Sequence, residues 1–360
     1  MKWLRRALAA LGIVVILCAA PIAYVETRCE ATPDLPSAEA NPFNLTEQGY
    51  RRAEGDSYLT YPEWYIVHAY TDLAGVTRQS SESAFDYIAS VTGFWRSLCR
   101  ATIAAGRVGP VTSDQKITNY IIGLSFTAEM TITGLYERTI GAATVWMRGP
   151  QRTDEDEFAL AAADSYAAFL QQTPWYRYPF WPQLQRFWRK TPLDHGNLLR
   201  SLERRFALSL EYGGKALYAI AIGALAGYSP ADLRLMSVVA HLDADDLAAE
   251  PRIKKLRDIG DSATLIETPR YQEYTEILRR LGARGRDVIE IAGNRRILTT
   301  IVAPAEAKLT TPGAIEIFSI PLQSRPGWRR IGLDTDVGAL TRLIGEVGKQ
   351  GAEFEHAYDY

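Results

Sequence analysis

The sequence predicts an α+β protein in three parts: an N-terminal transmembrane helix, a mostly helical middle domain, and a C-terminal ferredoxin-like (split βαβ) domain. Three observations carry this. Residues 7–25, ALAALGIVVILCAAPIAYV, run uncharged for 19 positions behind Lys2, Arg5 and Arg6. From about residue 61 to 241, apolar side chains recur at helical intervals. Near residue 260 the pattern turns to short strand-like runs punctuated by glycine.

The uncharged run amounts to ~28 Å of helix, close to the thickness of the hydrocarbon core. A cleaved signal peptide is the rival, but Pro21 spoils the best processing sites, and Leu17 before Cys18 does not suit a lipoprotein signal. Cations precede the run while Glu26, Glu30 and Asp34 follow it, so the N-terminus is expected in the cytoplasm and the bulk of the chain outside, at the inner membrane. The expected divisions are a transmembrane anchor over 1–28, a tether over 29–45, a mainly helical domain over 46–258 and the ferredoxin-like domain over 259–360. Cys29 and Cys99 then fall in an oxidising space, where two readings stay open: a disulfide, or two unpaired thiols. With 40 cations against 42 anions, no global field favours nucleic acid.

Within the helical part, Thr60-Tyr61-Pro62-Glu63 matches a capping box and starts a helix near 61. Helices are expected over 81–106, over 113–140 behind Ser113, over 154–172 behind Thr153, and over 195–228, with Ser229 capping another to about 241. ATLIET opens the α+β part, and a helix follows Thr268 and Pro269. Two strand-like runs joined by Gly293-Asn294 read as a hairpin, and two further strands, a helix and a final strand complete the order. That order resembles a split βαβ unit with an insertion, and no internal repeat is legible.

Motif chemistry is sparse. Gly214-Lys215 lacks a phosphate loop's first glycine, since Ser209 stands there, and no Ser or Thr follows. HLDADDLAAE has Ala248 where a calcium loop turns on glycine, so its acids read as a helix start. The four histidines are dispersed, so no metal site and no cofactor is expected. The candidate catalytic groups are Glu63, His68 and Glu129. Glu63 and His68 stand about 140° apart on one helix and do not share a face. Glu129, with apolar flanks, needs a cation such as Arg138 or a lysine of another chain.

TPWYRYPFWPQLQRFWRK, residues 173–190, combines seven aromatic rings with Arg177, Arg186, Arg189 and Lys190 and carries no carboxylate. Three readings stand side by side: a seat in the membrane interface, a core element, or a ligand platform. The interface reading uses Trp175, Tyr176, Tyr178, Phe180, Trp181, Phe187, Trp188 and Arg189.

YLTYPEWYIVHAY, TGLYERTIG, TPWYRYPFW and the terminal EHAYDY together resemble a family of uncharacterised bacterial inner-membrane proteins. The resemblance implies a membrane location and transfers no mechanism. The expectation is a single-pass, membrane-anchored binding or assembly component whose partners are the lipid bilayer and a membrane protein. The alternatives are a membrane-surface enzyme acting on lipid or envelope glycan, which needs a cleft gathering two of the candidate groups, and a structural subunit, which needs an exposed apolar patch.

Overall fold

The structure, a computed structural model, describes residues 19–33, 46, 48–193, 196–225 and 233–360. The greater part of the expected transmembrane segment, residues 7–18, lies outside the described residues. Among the described residues no helix is long and apolar enough to cross a membrane.

Residues 19–28 form helix α1. Its Val25 is buried, Ile22 packs on the main core, and Cys29 behind it is disulfide-bonded to Cys99. Glu26 accepts hydrogen bonds from Lys116 Nζ at 3.0 Å and Tyr120 OH at 2.7 Å. Two expected divisions are therefore corrected. The end of the anchor belongs to the folded core, and the tether begins after this disulfide, since Ala31 still packs against Gly106.

The helical part comprises α2 (Asp56–Gln79), α3 (Tyr87–Val108), α4 (Ser113–Tyr136), α5 (Ala142–Arg148), α6 (Asp154–Leu170), α7 (Phe180–Lys190) and α8 (Leu198–Leu225). Caps explain most of the boundaries. Asp86 caps α3 by accepting from Ala89 N, and reciprocal capping boxes join Thr112 to Gln115 at α4 and Thr153 to Asp156 at α6. The expected cap at Thr60 is wrong. α2 starts at Asp56, Thr60 Oγ1 instead donates to Asp56 O, and Pro62 sits inside the helix. A five-residue π-helix, Glu137–Gly141, joins α4 to α5.

Among the described residues eight strands form two antiparallel sheets. The first contains β1 (Arg234–Ala240), β2 (Lys254–Ile259), β3 (Ala263–Pro269) and β4 (Val288–Ile291), in spatial order β2-β3-β1-β4. The second contains β5 (Arg296–Pro304), β6 (Ala314–Pro321), β7 (Trp328–Asp336) and β8 (Glu353–Ala357), in order β6-β7-β5-β8. Helices α9 (Ala244–Ala249) and α10 (Tyr271–Ala283) make the first unit β-α-β-β-α-β. The second unit repeats both path and strand order, with residues 305–313 as a loop where α9 would stand and α11 (Leu340–Lys349) in the place of α10.

Three expectations change accordingly. The α+β part begins at Arg234, because a boundary at 258/259 cuts the β2–β3 hairpin. The helix expected to about 241 is strand β1, whose five consecutive buried residues give an apolar run without a diagnostic period. Gly293, at φ 83°, and Ala292, at φ 49°, turn the chain from β4 into β5, which lie in different sheets rather than pairing as a hairpin.

Among the described residues four apolar clusters are buried, the smallest formed by Met236 and Val238 of β1 with Ala263 and Leu265 of β3. The first joins α1–α4 to Leu298, Phe318 and Tyr358 of the second unit. The second draws on both sheets together with α10 and α11, through Ile277, Leu281, Leu340 and Leu343. The third joins α6, α7 and α8.

Candidate functional site

A cavity of about 410 Å³ lies among α2, α4, α6, α8 and the start of α10. It falls in the range of small-molecule sites, about 300–1,000 Å³. From α2 come Glu63, Trp64, Val67 and Tyr70, the 3.6-residue period placing them along one face. Ile121, Ile122, Phe126 and Glu129 of α4 face Lys215, Tyr218 and Ile222 of α8. Tyr166, Trp175, Tyr176 and Tyr271 close the remaining walls. Tyr271 holds φ at 62°, a strained conformation for an aromatic residue and of the kind that clusters at functional sites.

Glu129 anchors one polar group. Its Oε1 accepts from Tyr70 OH at 2.5 Å and lies 2.9 Å from Lys215 Nζ. Burial pushes the Glu129 carboxyl up, but Lys215 and the Tyr70 hydroxyl outweigh it and hold the carboxyl below its ordinary range. Lys215 also contacts Glu211 at 2.9 Å and stands over the rings of Tyr70 and Tyr166. Burial pulls its ammonium down, yet the two carboxylates more than compensate and raise it. The cation that Glu129 needs is thus Lys215, while Arg138 pairs with Asp86 at 3.5 Å.

Glu63 is different. Seven residues from Tyr70, it sits about 10 Å along the helix from the Glu129 group. It makes no hydrogen bond or ion pair among the described residues. Its side chain is open to solvent at the cavity's rim, yet protein atoms crowd it and raise the carboxyl, with Arg270 pulling the other way. The structure therefore brings Glu63 and Glu129 to one cavity and sends His68 elsewhere.

His68 faces the second sheet. Its Nε2 lies 2.9 Å from Tyr358 OH, and its Nδ1 lies 3.8 Å from Glu355, which Arg330 grips in a bidentate pair at 2.6 and 2.8 Å. Burial, then Arg330, lowers the imidazole to about 3, so His68 is neutral and structural in this network. His356 lies in the same region, stacked on Trp64 at 3.7 Å.

The aromatic stretch divides three ways. Tyr178, Phe180 and Phe187 are buried in the α6–α7–α8 core, which corrects their expected membrane role. Trp175 and Tyr176 line the cavity instead, with Trp175 packed on Tyr218 at 5.0 Å. Trp181, 58% exposed, and Trp188, 51% exposed, remain outside with Arg189, and Trp188 carries Arg205 over its ring.

A second surface feature escaped the sequence reading. Along α8, Leu199, Leu202, Phe206 and Leu210 recur every three or four residues and are exposed, and Leu217 and Ile220 resume the stripe past Gly213 and Gly214. Arg200 and Arg204, on the opposite face, are only 2% exposed. Arg200 bonds Asp156 at 2.9 Å and Glu203 at 2.7 Å, and Arg204 bonds Glu137 at 2.8 Å and Glu203 at 2.6 Å. This half of α8 is inside-out: ions in, aliphatics out. α4, the π-helix and α5 expose Ile117, Ile121, Ile132, Leu135, Ile140 and Trp146, the last at 83%. The Glu129–Lys215 and Glu137–Arg204 pairs stitch α4 and the π-helix to α8, so both apolar stripes flank one seam. Ile121 and Tyr218 belong both to this exposed surface and to the cavity wall.

No family model matches the chain, and neither does any curated protein or solved structure. Among the described residues no group of His, Cys, Asp and Glu is placed to hold a metal ion.

Proposed function

We propose that this chain is a membrane-anchored binding or assembly component at the outer face of the inner membrane, with the α4–α5–α8 surface turned to the bilayer or to a membrane protein within it. The inside-out α8 carries the reading. A helix that buries two arginines and exposes a row of large apolar side chains is arranged for an apolar environment, and monomers in water rarely expose such patches at length. The uncharged run over 7–25 supports the same placement from the sequence, while its last residues, through Ile22 and Val25, pack on the core. The four-stranded units fit the ferredoxin-like pattern, which hosts many functions and selects none.

Bilayer contact is tested on Trp146. In proteoliposomes, lipids brominated on their acyl chains should quench a fluorescence component that disappears in Trp146→Phe. Equal quenching of the two proteins removes this surface from the membrane.

A second reading has one specific observation behind it. Two carboxyls in one cavity, Glu63 raised and Glu129 lowered, divide as the acid and base of a hydrolytic pair divide. An enzyme acting on lipid or envelope glycan would lose turnover in Glu63→Gln. Unchanged release of product from membrane extracts by that variant ends this reading.

A further inference from the structure

We infer that the cavity binds an organic cation carrying an alkyl chain: an ammonium head against Glu63 within the aromatic walls, and a tail leaving past Ile121 and Tyr218 onto the apolar α4–α8 seam. The path of the tail rests on the membrane reading above; the seat of the head does not.

Charge sets the sign of the ligand. The cavity lining holds Glu63 and Glu129 against Lys215, and that lysine is already committed to Glu129 and to Glu211. Arg270, the nearby cation, is bound to Asp359 at 3.1 Å. Among the described residues Glu63 forms no ion pair, and Arg270, held by Asp359, acts on it only through space. An anionic head group would add to this excess, whereas a cation relieves it. Aromatic faces attract cations by about 0.5–1 kcal/mol at exposed sites and about 2 kcal/mol when desolvated, and Trp175 and Tyr176 line the cavity, while the Tyr271 ring already carries the Arg270 guanidinium at 5.1 Å. Lys215 shows the preference in place, standing 5.1 Å from the Tyr70 centroid and 5.2 Å from that of Tyr166. Tyr176 also has a buried hydroxyl with no hydrogen-bond partner, a polar atom that a ligand or its water can satisfy.

Shape sets the tail. Part of the lining is aliphatic, through Ile66, Val67, Ile122, Leu170 and Ile222. Because Ile121 and Tyr218 are both wall and exposed surface, the cavity opens onto apolar protein rather than onto charge. A single-chain amphiphile fits both ends.

The test uses the full chain in nonionic micelles, titrated with decyltrimethylammonium, with decanoate of the same chain length, and with tetramethylammonium. Decyltrimethylammonium should change tryptophan fluorescence saturably, decanoate should not compete, and Glu63→Gln should weaken binding at least tenfold. Glu63 is solvent-exposed, so this variant should fold, and circular dichroism checks it. Tetramethylammonium should bind more weakly than the decyl compound but show the same loss in Glu63→Gln. Partition into micelles is common to both proteins, so the ratio of their affinities reports the site. Equal binding by the variant, or equal competition by decanoate, overturns the inference. The Trp146 quenching result is independent of these titrations, so failure of the membrane placement and failure of the cation site are read separately.

Discussion

At the scale of single residues, the buried ions decide most. Arg204 faces Glu137 and Glu203 in a site closed to water, where removing one partner of a pair typically costs about 3–5 kcal/mol. Arg204→Met should lose stability of about that size, read as a lower denaturant midpoint at constant slope. Replacing Glu137 and Glu203 by Gln as well should recover part of the loss. Glu355 gives a pH signature. Burial raises its carboxyl, but the Arg330 guanidinium prevails and brings it to about 2, below the ordinary carboxylate value. A depressed carboxyl contributes stability above its unfolded value, about 4.3, and that contribution fades as pH falls toward 2. Acid unfolding of Glu355→Gln should therefore be less steep between about pH 4.3 and 2 than that of the parent. The opposed faces of Glu63 and His68 were legible, since five helical residues fix their angle. Lys215 as the partner of Glu129 was not, because 86 residues separate them and no local pattern encodes that meeting.

At the scale of elements, caps and periodicity located most helices, and the failures have physical causes. β1 read as helix because RLMSVVA is buried on both faces and so shows no alternation. The polarity of α8 was not legible for a deeper reason. Its apolar stripe was visible at three- and four-residue spacing, but an amphipathic pattern marks two faces without saying which one meets solvent. The arginines face inward because Glu82, Glu137, Asp156 and Glu203 gather from other turns and helices to meet them. Changing Leu210 and Leu217 together to Lys should leave the thermal midpoint nearly unchanged, since exposed substitutions typically stay within about 0.5 kcal/mol. The same pair should release the protein's apolar face from liposomes, seen as lost Trp146 quenching. At the other extreme, Gly123 is a packing requirement. A Cβ there would sit 2.5 Å from Phe94 and 3.0 Å from Trp95, so Gly123→Ala should destabilise by about 1–3 kcal/mol and broaden the unfolding transition.

At the scale of the whole molecule, the tandem of sheets determines what folds with what. The repeat was hidden because the second unit replaces its first helix by loop 305–313 and shares no motif with the first. A cut at 258/259 would leave β3 and β4 without β1, the strand that lies between them. Losing a central strand leaves two rows of backbone donors and acceptors unpaired, and the residues that fill the shared core from β1, Leu235 and Val239, go with it. A fragment of residues 259–360 should therefore show no cooperative melt. Residues 233–360 retain all eight strands, both α10 and α11, and the whole of the second core. That longer fragment should unfold cooperatively by circular dichroism, while associating through Leu298, Phe318 and Tyr358, which α2 covers in the full chain. If the shorter fragment melts as sharply as the longer one, the second unit is independent of β1 and the shared core is not what holds the two sheets together.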